Sequence, residues 1–485
     1  MALLAPAPPA LAAAPTYTLT VLTPGAGQAI NNSGQAAGQA TNQNGLGGPE
    51  HAFLYQNGQA TDLGVLVGAS GYSQANAINA GGHVAGYFAA AVQGQSFLYG
   101  QGGQVQTFAV PGSASTQALS LNNLNQVVGS YFSTATGHTG AFLRQASGDL
   151  VDLGILGGSD AAALAINNDG LIVGWLLMAD GRHAFLQQPG ASAPLDLGNL
   201  GLGGTQANAV NDLQQVVGTS AGHAFLYAGG TLNDLGAFGG QQTVAYGINN
   251  LSQIVGDYVV SSGTEGQSFH GWVYLEGQLY DLNGLLDPAA QGWTIIGARG
   301  INDAGQIIAT AVNPSQGNGT FAVILTPEQS LFSASDTPAT VTWNDARAVE
   351  LGVKFQSAVA GTVTGVRFYK GPQNTGTHVG TLWSATGTAL ASATFTGETP
   401  SGWQQVNFSN PVPIAPGMVY VVSYHTQVGF YSVDVNYFAT AHLSGASTAP
   451  DSASSGGNGV FAYGSGGFPT NTCDANNYWV DVVFR

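Results

Sequence analysis

The sequence predicts an all-β protein, a seven-bladed β-propeller followed by an antiparallel β-sandwich. Three observations lead there. One phrase recurs seven times down the first two thirds of the chain. The 485 residues include 72 glycines and only 7% charged residues, far from the usual quarter or so. After Thr326 the repeat gives way to alternating strands of another texture. With 21 Phe, 18 Tyr, 7 Trp and 44% apolar residues, the chain is too apolar for disorder. Dense glycine among short apolar runs marks strands joined by tight turns.

The amino-terminal stretch MALLAPAPPALAAAP is apolar and ends in small residues, but lacks a basic start and carries Pro6, Pro8 and Pro9. Residues 1–14 are expected to be a signal-peptide remnant or leader, which points to secretion. No segment has the length of a membrane-spanning helix.

The recurring phrase has two halves. The first reads AINNSGQAAG, AINAGGHVAG, SLNNLNQVVG, AINNDGLIVG, AVNDLQQVVG, GINNLSQIVG and GINDAGQIIA. Its apolar residue before Asn is Ile30, Ile78, Leu121, Ile166, Val210, Ile248 and Ile301, at intervals of 48, 43, 45, 44, 38 and 53. That period suits four-stranded blades. The apolar residue ends one strand, Asn-Asn or Asn-Asp makes the turn, and QVVG starts the return. The second half, as in HAFLYQNGQATDLGVL from His51, supplies the third and fourth strands.

The seventh unit has a third strand in TFAVILT but no DLG strand after it. The strand YTLTVL (residues 17–22) matches the missing piece at its apolar positions. Donated to the last blade, it would close the ring and remove exposed edges. The propeller is thus expected over residues 15–326, with a linker at 327–330. The phrases AINNSGQAAG…HAFLYQNGQATDLG and VVGTSAGHAFLYAGGTLNDLG resemble the HAF repeats of bacterial extracellular proteins over residues 17–326. The resemblance implies a secreted or surface location and carries no catalytic residues.

His51, His183, His223 and His270 precede Asp62, Asp196, Asp234 and Asp281 by 11, 13, 11 and 11 residues. Unit two has Gln95 and Thr107 in those places, and unit three keeps Asp152 opposite Gly140, with His138 nearby. Members that mostly come and go together suggest a contact between adjacent strands. A buried His would find a hydrogen-bond acceptor in the Asp. Acid–base catalysis instead asks for one distinctive pocket with tuned groups. The pairs are therefore read as scaffolding, with no catalytic residue assigned.

The turn INNDG at Ile166–Gly170 lacks the acidic ligand pattern of a calcium loop. No phosphate-binding loop, zinc motif or nucleophile elbow is present, so neither metal nor cofactor is expected. A formal charge of −17, with Arg144, Arg182 and Arg299 the only cations of the repeat region, argues against nucleic acid and anionic lipid. The single cysteine, Cys473, excludes an intramolecular disulfide framework.

Residues 331–485 read as eight to ten strands with Gly, Pro and Asn clusters between them, a β-sandwich of carbohydrate-binding type. LFSASDTPATVTWNDARAVELGVKF, VRFYKGPQNTGTHVGTLWS, SGWQQVNF and NYWVDVVF resemble a bacterial extracellular domain family of unassigned function. Family context implies adhesion or glycan binding. With Val406 and Phe408 inward, Trp403 and Gln405 point outward; with Val366 and Phe368 inward, Arg367 and Tyr369 do. These four could stack on and hold a sugar. Tyr431, Asp434, Asn436 and Tyr437 form a second candidate cluster. The competing reading puts Trp383, Trp403 and Trp479 over the core.

The function expected is a secreted or cell-surface, non-enzymatic binding protein with a polysaccharide or surface-glycan partner. The alternative is a polysaccharide hydrolase or lyase with its site at the propeller channel mouth, where a carboxylate pair would be required.

Overall fold

A computed structural model describes residues 15–485 except 42–49, 65–70, 90–92, 101, 202, 239–241, 264–265, 318, 334–335 and 445. The expected leader at residues 1–14 lies outside the described residues. Strands dominate, and the only helices among the described residues are short 3₁₀ turns. The chain divides into two compact regions, Thr16–Thr326 and Pro327–Arg485.

In the first region five four-stranded antiparallel sheets follow one another, each built from one sequence repeat. Unit five is representative: Thr205–Val210, Val216–Ser220, His223–Ala228 and Thr231–Gly236 pair in chain order. The remaining repeats join in one seven-stranded sheet. There Tyr17–Ile30 lies beside Thr320–Pro327, and from Gly25 onward it pairs with Ala36–Ala40.

The recurrent letters have steric causes. The Ala and Phe of the HAF phrase are buried, as in Ala52–Phe53, Ala184–Phe185 and Ala224–Phe225. Trp272 takes the Phe place in unit six and is also fully buried. Each such ring withdraws from water at a gain of roughly 2–3 kcal/mol. The glycine closing QVVG sits against a bulge in the preceding strand. A Cβ on Gly129 would lie 1.9 Å from the Gln117 carbonyl oxygen and 2.9 Å from the Phe142 ring. In unit seven Ala309 stands there, and its partner strand Thr294–Ile301 carries two register shifts.

Asn at the turn does more than bend the chain. Asn211 Oδ1 accepts the Gln215 N–H at 2.9 Å, while its Nδ2 donates to Gln215 Oε1 at 2.7 Å and to the Asn249 carbonyl of the next unit at 2.9 Å. The same inter-unit bond runs Asn31→Asn79→Asn122→Asn167→Asn211→Asn249→Asn302 and back to Asn31, at 2.9–3.1 Å. All seven side chains are buried. The hydrogen-bonded circuit closes on itself.

In the second region an eight-stranded sheet contains Val349–Ser357, Val379–Ser384 and Tyr420–Thr426. A three-stranded sheet holds Gly361–Lys370 between Gly402–Ile414 and Val480–Phe484. One hydrophobic core joins them, with Phe368 stacked on Tyr424 at 4.0 Å between ring centroids. No helix among the described residues is long and apolar enough to cross a membrane.

Candidate functional site

The four His/Asp sets occupy adjacent strands. Nδ1 lies 2.8 Å from the carboxylate in His51–Asp62, 2.7 Å in His183–Asp196, 2.9 Å in His223–Asp234 and 2.8 Å in His270–Asp281. They differ from the buried pairs expected, because the carboxylates are substantially exposed. A fourth strand at the edge of its sheet leaves its end open to water. The other Asp oxygen caps the turn that follows, accepting the N–H of Gly198 or Gly236 at 2.9 and 2.7 Å. Both glycines have positive φ, which accounts for the Gly of DLG in these two units. His183 is held above the usual imidazole range, chiefly by its bond to Asp196.

Unit three, the exception, has a substitute. Tyr131 OH donates to Asp152 Oδ1 at 2.7 Å, and its ring lies 2.6 Å from where a Cβ on Gly140 would be. Tyrosine from the neighbouring strand thus takes over the histidine's bond, and glycine makes room for it. His138 lies near Asp160 instead, at 3.9 Å.

In the second region the structure turns most of the expected ligand residues inward. Trp403 and Tyr369 are packed against the core with Trp479 and Phe332, because the chain around Phe332 lies against that face of the three-stranded sheet. Trp403 Nε1 donates to the Asp336 carbonyl at 3.0 Å. Arg367, expected outside, donates through Nε to buried Asp481 at 2.8 Å and lies over the Trp403 ring at 4.5 Å. Of that group only Gln405 is exposed. Trp479 is buried, and Trp383 donates to Ser423 Oγ at 2.7 Å. In the second cluster Tyr437 packs on Phe332 and Trp479. Asp434 accepts the Ala339 N–H at 2.6 Å, and Asn436 adopts a left-handed turn conformation. Tyr431 lines a cavity.

That cavity, of about 230 Å³, is rich in aromatic side chains. Trp343 and Tyr463, 44% and 43% exposed, share its lining with buried Tyr431 and Tyr478. Arg347 binds Asp345 bidentately, Nε at 2.9 Å and Nη2 at 2.8 Å, and lies 3.8 Å over the Tyr463 ring. Tyr463 OH also donates to Asp345, at 2.6 Å. Arg347 holds the Asp345 carboxyl well below the usual range, so this group stays an acceptor and is no acid. The strand-phase argument could not find Trp343 and Arg347, because both lie in irregular chain before the first strand of the region.

The repeat region carries two further cavities. One, of about 200 Å³, is lined by the Asn turns of all seven units; the other, of about 360 Å³, is lined by the strand ends leading into them. Asp212 and Asp303 are the carboxylates of the first. Each accepts a backbone N–H from the preceding unit, Asn168 to Asp212 at 3.0 Å and Asn250 to Asp303 at 2.9 Å. The larger cavity has no carboxylate in its lining. Among the described residues no group of three His, Cys, Asp or Glu side chains could hold a metal ion.

Residues 335–480 match the model of a domain of unknown function, DUF4082. No curated protein matches the chain. Among solved structures it is similar to one from a study of two prolyl endopeptidases (11% identity, TM-score 0.42, covering 70% of this chain and 53% of that one). It is also similar to virginiamycin B lyase from Staphylococcus aureus (11%, 0.35, 64% and 99%) and to TolB from Acinetobacter baumannii (12%, 0.33, 64% and 96%). The chain spans about half the length of the first of these.

Proposed function

We propose that this chain is a secreted or cell-surface, non-enzymatic binding protein of the HAF-repeat type, a seven-bladed propeller over residues 15–326 followed by a glycan-binding β-sandwich over 331–485. The observation that carries the reading is the Trp343–Tyr463 cavity. Exposed aromatic faces cover the apolar side of a sugar ring, while a fixed ion pair offers donors and acceptors to its hydroxyls. Arg347 and Asp345 satisfy each other's charge, which suits a neutral polysaccharide better than an acidic one. The ring of repeats serves as a rigid scaffold, and its His/Asp pairs are sheet-edge hydrogen bonds that also set the DLG turn. The two carboxylates lining the smaller cavity, Asp212 and Asp303, each accept a backbone N–H of the preceding unit, a structural use that supports binding over glycoside hydrolysis.

Glycan-array binding by the full chain tests this. Trp343→Ala with Tyr463→Ala should abolish binding to the neutral glycans the wild type retains, while Trp403→Phe should leave it intact. Undiminished binding by the double variant would reject the site.

A further inference from the structure

The larger cavity of the repeat region is lined where the seven copies differ. Two residues before each recurrent Ile, Leu or Val, the lining residue is Gln28, Asn76, Leu119, Leu164, Asn208, Tyr246 or Arg299. Units three and four give an apolar arc of Leu119 and Leu164, and the other five give polar or aromatic groups. The lining next to these is small or aliphatic in every unit. The asymmetry therefore resides at one level of the cavity.

Arg299 is the only charged residue in that lining. Its Nη2 lies 3.1 Å from Asp257 Oδ2, and its guanidinium carbon lies 3.7 Å from the Tyr246 ring centroid. The Asp257 side chain is 9% exposed, whereas that of Arg299 is 32% exposed. A guanidinium carries five N–H donors, and among the described residues this ion pair is its only polar contact. The side chain is thus held by one ion pair and one ring face, and its other N–H groups have no polar partner among the described residues. Positioning of that kind lowers the entropy cost of binding and favours a planar oxyanion taken by two parallel hydrogen bonds.

We propose that this cavity binds a small carboxylate-bearing molecule of about monosaccharide size. Arg299 takes the carboxylate, the polar arc meets hydroxyl groups, and Leu119 and Leu164 take the apolar face. A volume of about 360 Å³ falls at the lower end of the range for small-molecule sites. The chain's formal charge of −17 repels anions at a distance, so selection rests on the short-range fork. The site is separate from the Trp343 cavity and independent of the reading given to it.

Isothermal titration of the full chain carrying Trp343→Ala and Tyr463→Ala, which removes the aromatic faces of the other cavity, with D-glucuronate, D-glucose and L-lactate tests the proposal. Glucuronate should bind while glucose does not, and Arg299→Lys, which keeps the charge and loses the fork, should weaken binding at least about tenfold. Lactate binding that depends on Arg299 would support the carboxylate site and point to organic acids in place of sugar acids. Restoring Trp343 and Tyr463 should leave the dependence of glucuronate binding on Arg299 unchanged, which keeps failure here distinct from failure of the glycan site. Equal binding of glucose and glucuronate, unchanged affinity in Arg299→Lys, or no heat from either acid at about 10 mM would overturn it.

Discussion

Asn302 Nδ2 donates to the Asn31 carbonyl at 3.0 Å, joining residues 271 apart in sequence. It is the bond at which the circuit of asparagines meets its own beginning. Both residues are buried, so the carbonyl has no water to fall back on.

Asn302→Asp separates the two duties of this side chain. The carboxylate can still accept the Ala304 and Gln306 N–H groups that Oδ1 accepts at 3.1 and 2.9 Å, but it cannot donate to Asn31. A loss of roughly 2–4 kcal/mol in urea unfolding is expected, the cost of a buried acceptor left facing a carboxylate. Wild-type stability in the variant would show that the inter-unit bond contributes nothing.

Tyr131 and Gly140 should be coupled. Gly140→Ala places a methyl against the Tyr131 ring and should destabilise by roughly 1–3 kcal/mol. Adding Tyr131→Ala should recover part of that loss, although Tyr131→Ala alone is itself destabilising. Additive losses in the double-mutant cycle would contradict the steric exchange described for unit three.

The His/Asp pairs themselves should matter little to stability. His223→Ala should cost under about 1 kcal/mol, as for other exposed pairs. The latch of the second region should behave differently. Asp481 is fully buried beneath Arg367 and also accepts the Leu331 N–H at 2.7 Å. Arg367→Ala is expected to cost about 3–5 kcal/mol, since it leaves a buried charge without its partner. Equal losses in the two variants, measured by denaturant titration, would collapse the distinction.

Burial pushes the Asp257 carboxyl up to about 6, against the pull of Arg299. Arg299 is its charged partner; Trp272, whose Nε1 donates to the Asp257 carbonyl, and Gly297 also face it, and both are neutral. A carboxyl raised above its unfolded value of about 3.9 makes the fold favour the protonated form. Its contribution to stability is complete below about pH 4 and is lost as pH rises through 6. Asp257→Asn should remove that slope, so the difference between variant and wild type should change by roughly 3 kcal/mol across the interval. A difference constant with pH would refute the shift.

How much of this was legible in the sequence follows from where each constraint lies. Strand order and turns could be read from the repeat, because HAF, QVVG and INN answer to local burial and backbone geometry. The Asn circuit could not, since periodicity says that asparagine recurs but not that its Nδ2 reaches the next copy. Strand alternation placed Trp403 and Arg367 on the face opposite Val406 and Val366. It could not foresee that Phe332 stacks on Trp403 and makes that face interior. The Trp343 cavity assembles from irregular segments around residues 343–347, 431–435 and 473–478 and from the strand Val460–Tyr463, and no periodicity joins them.

The non-enzymatic glycan-binding reading is tested most directly by incubating the full chain with a panel of neutral and acidic polysaccharides, scoring retention and soluble product together. Retention on a neutral polysaccharide is expected, lost in the Trp343→Ala, Tyr463→Ala double variant, with no product released by either protein. Release of oligosaccharide by the wild type, or equal retention of both proteins, would contradict it.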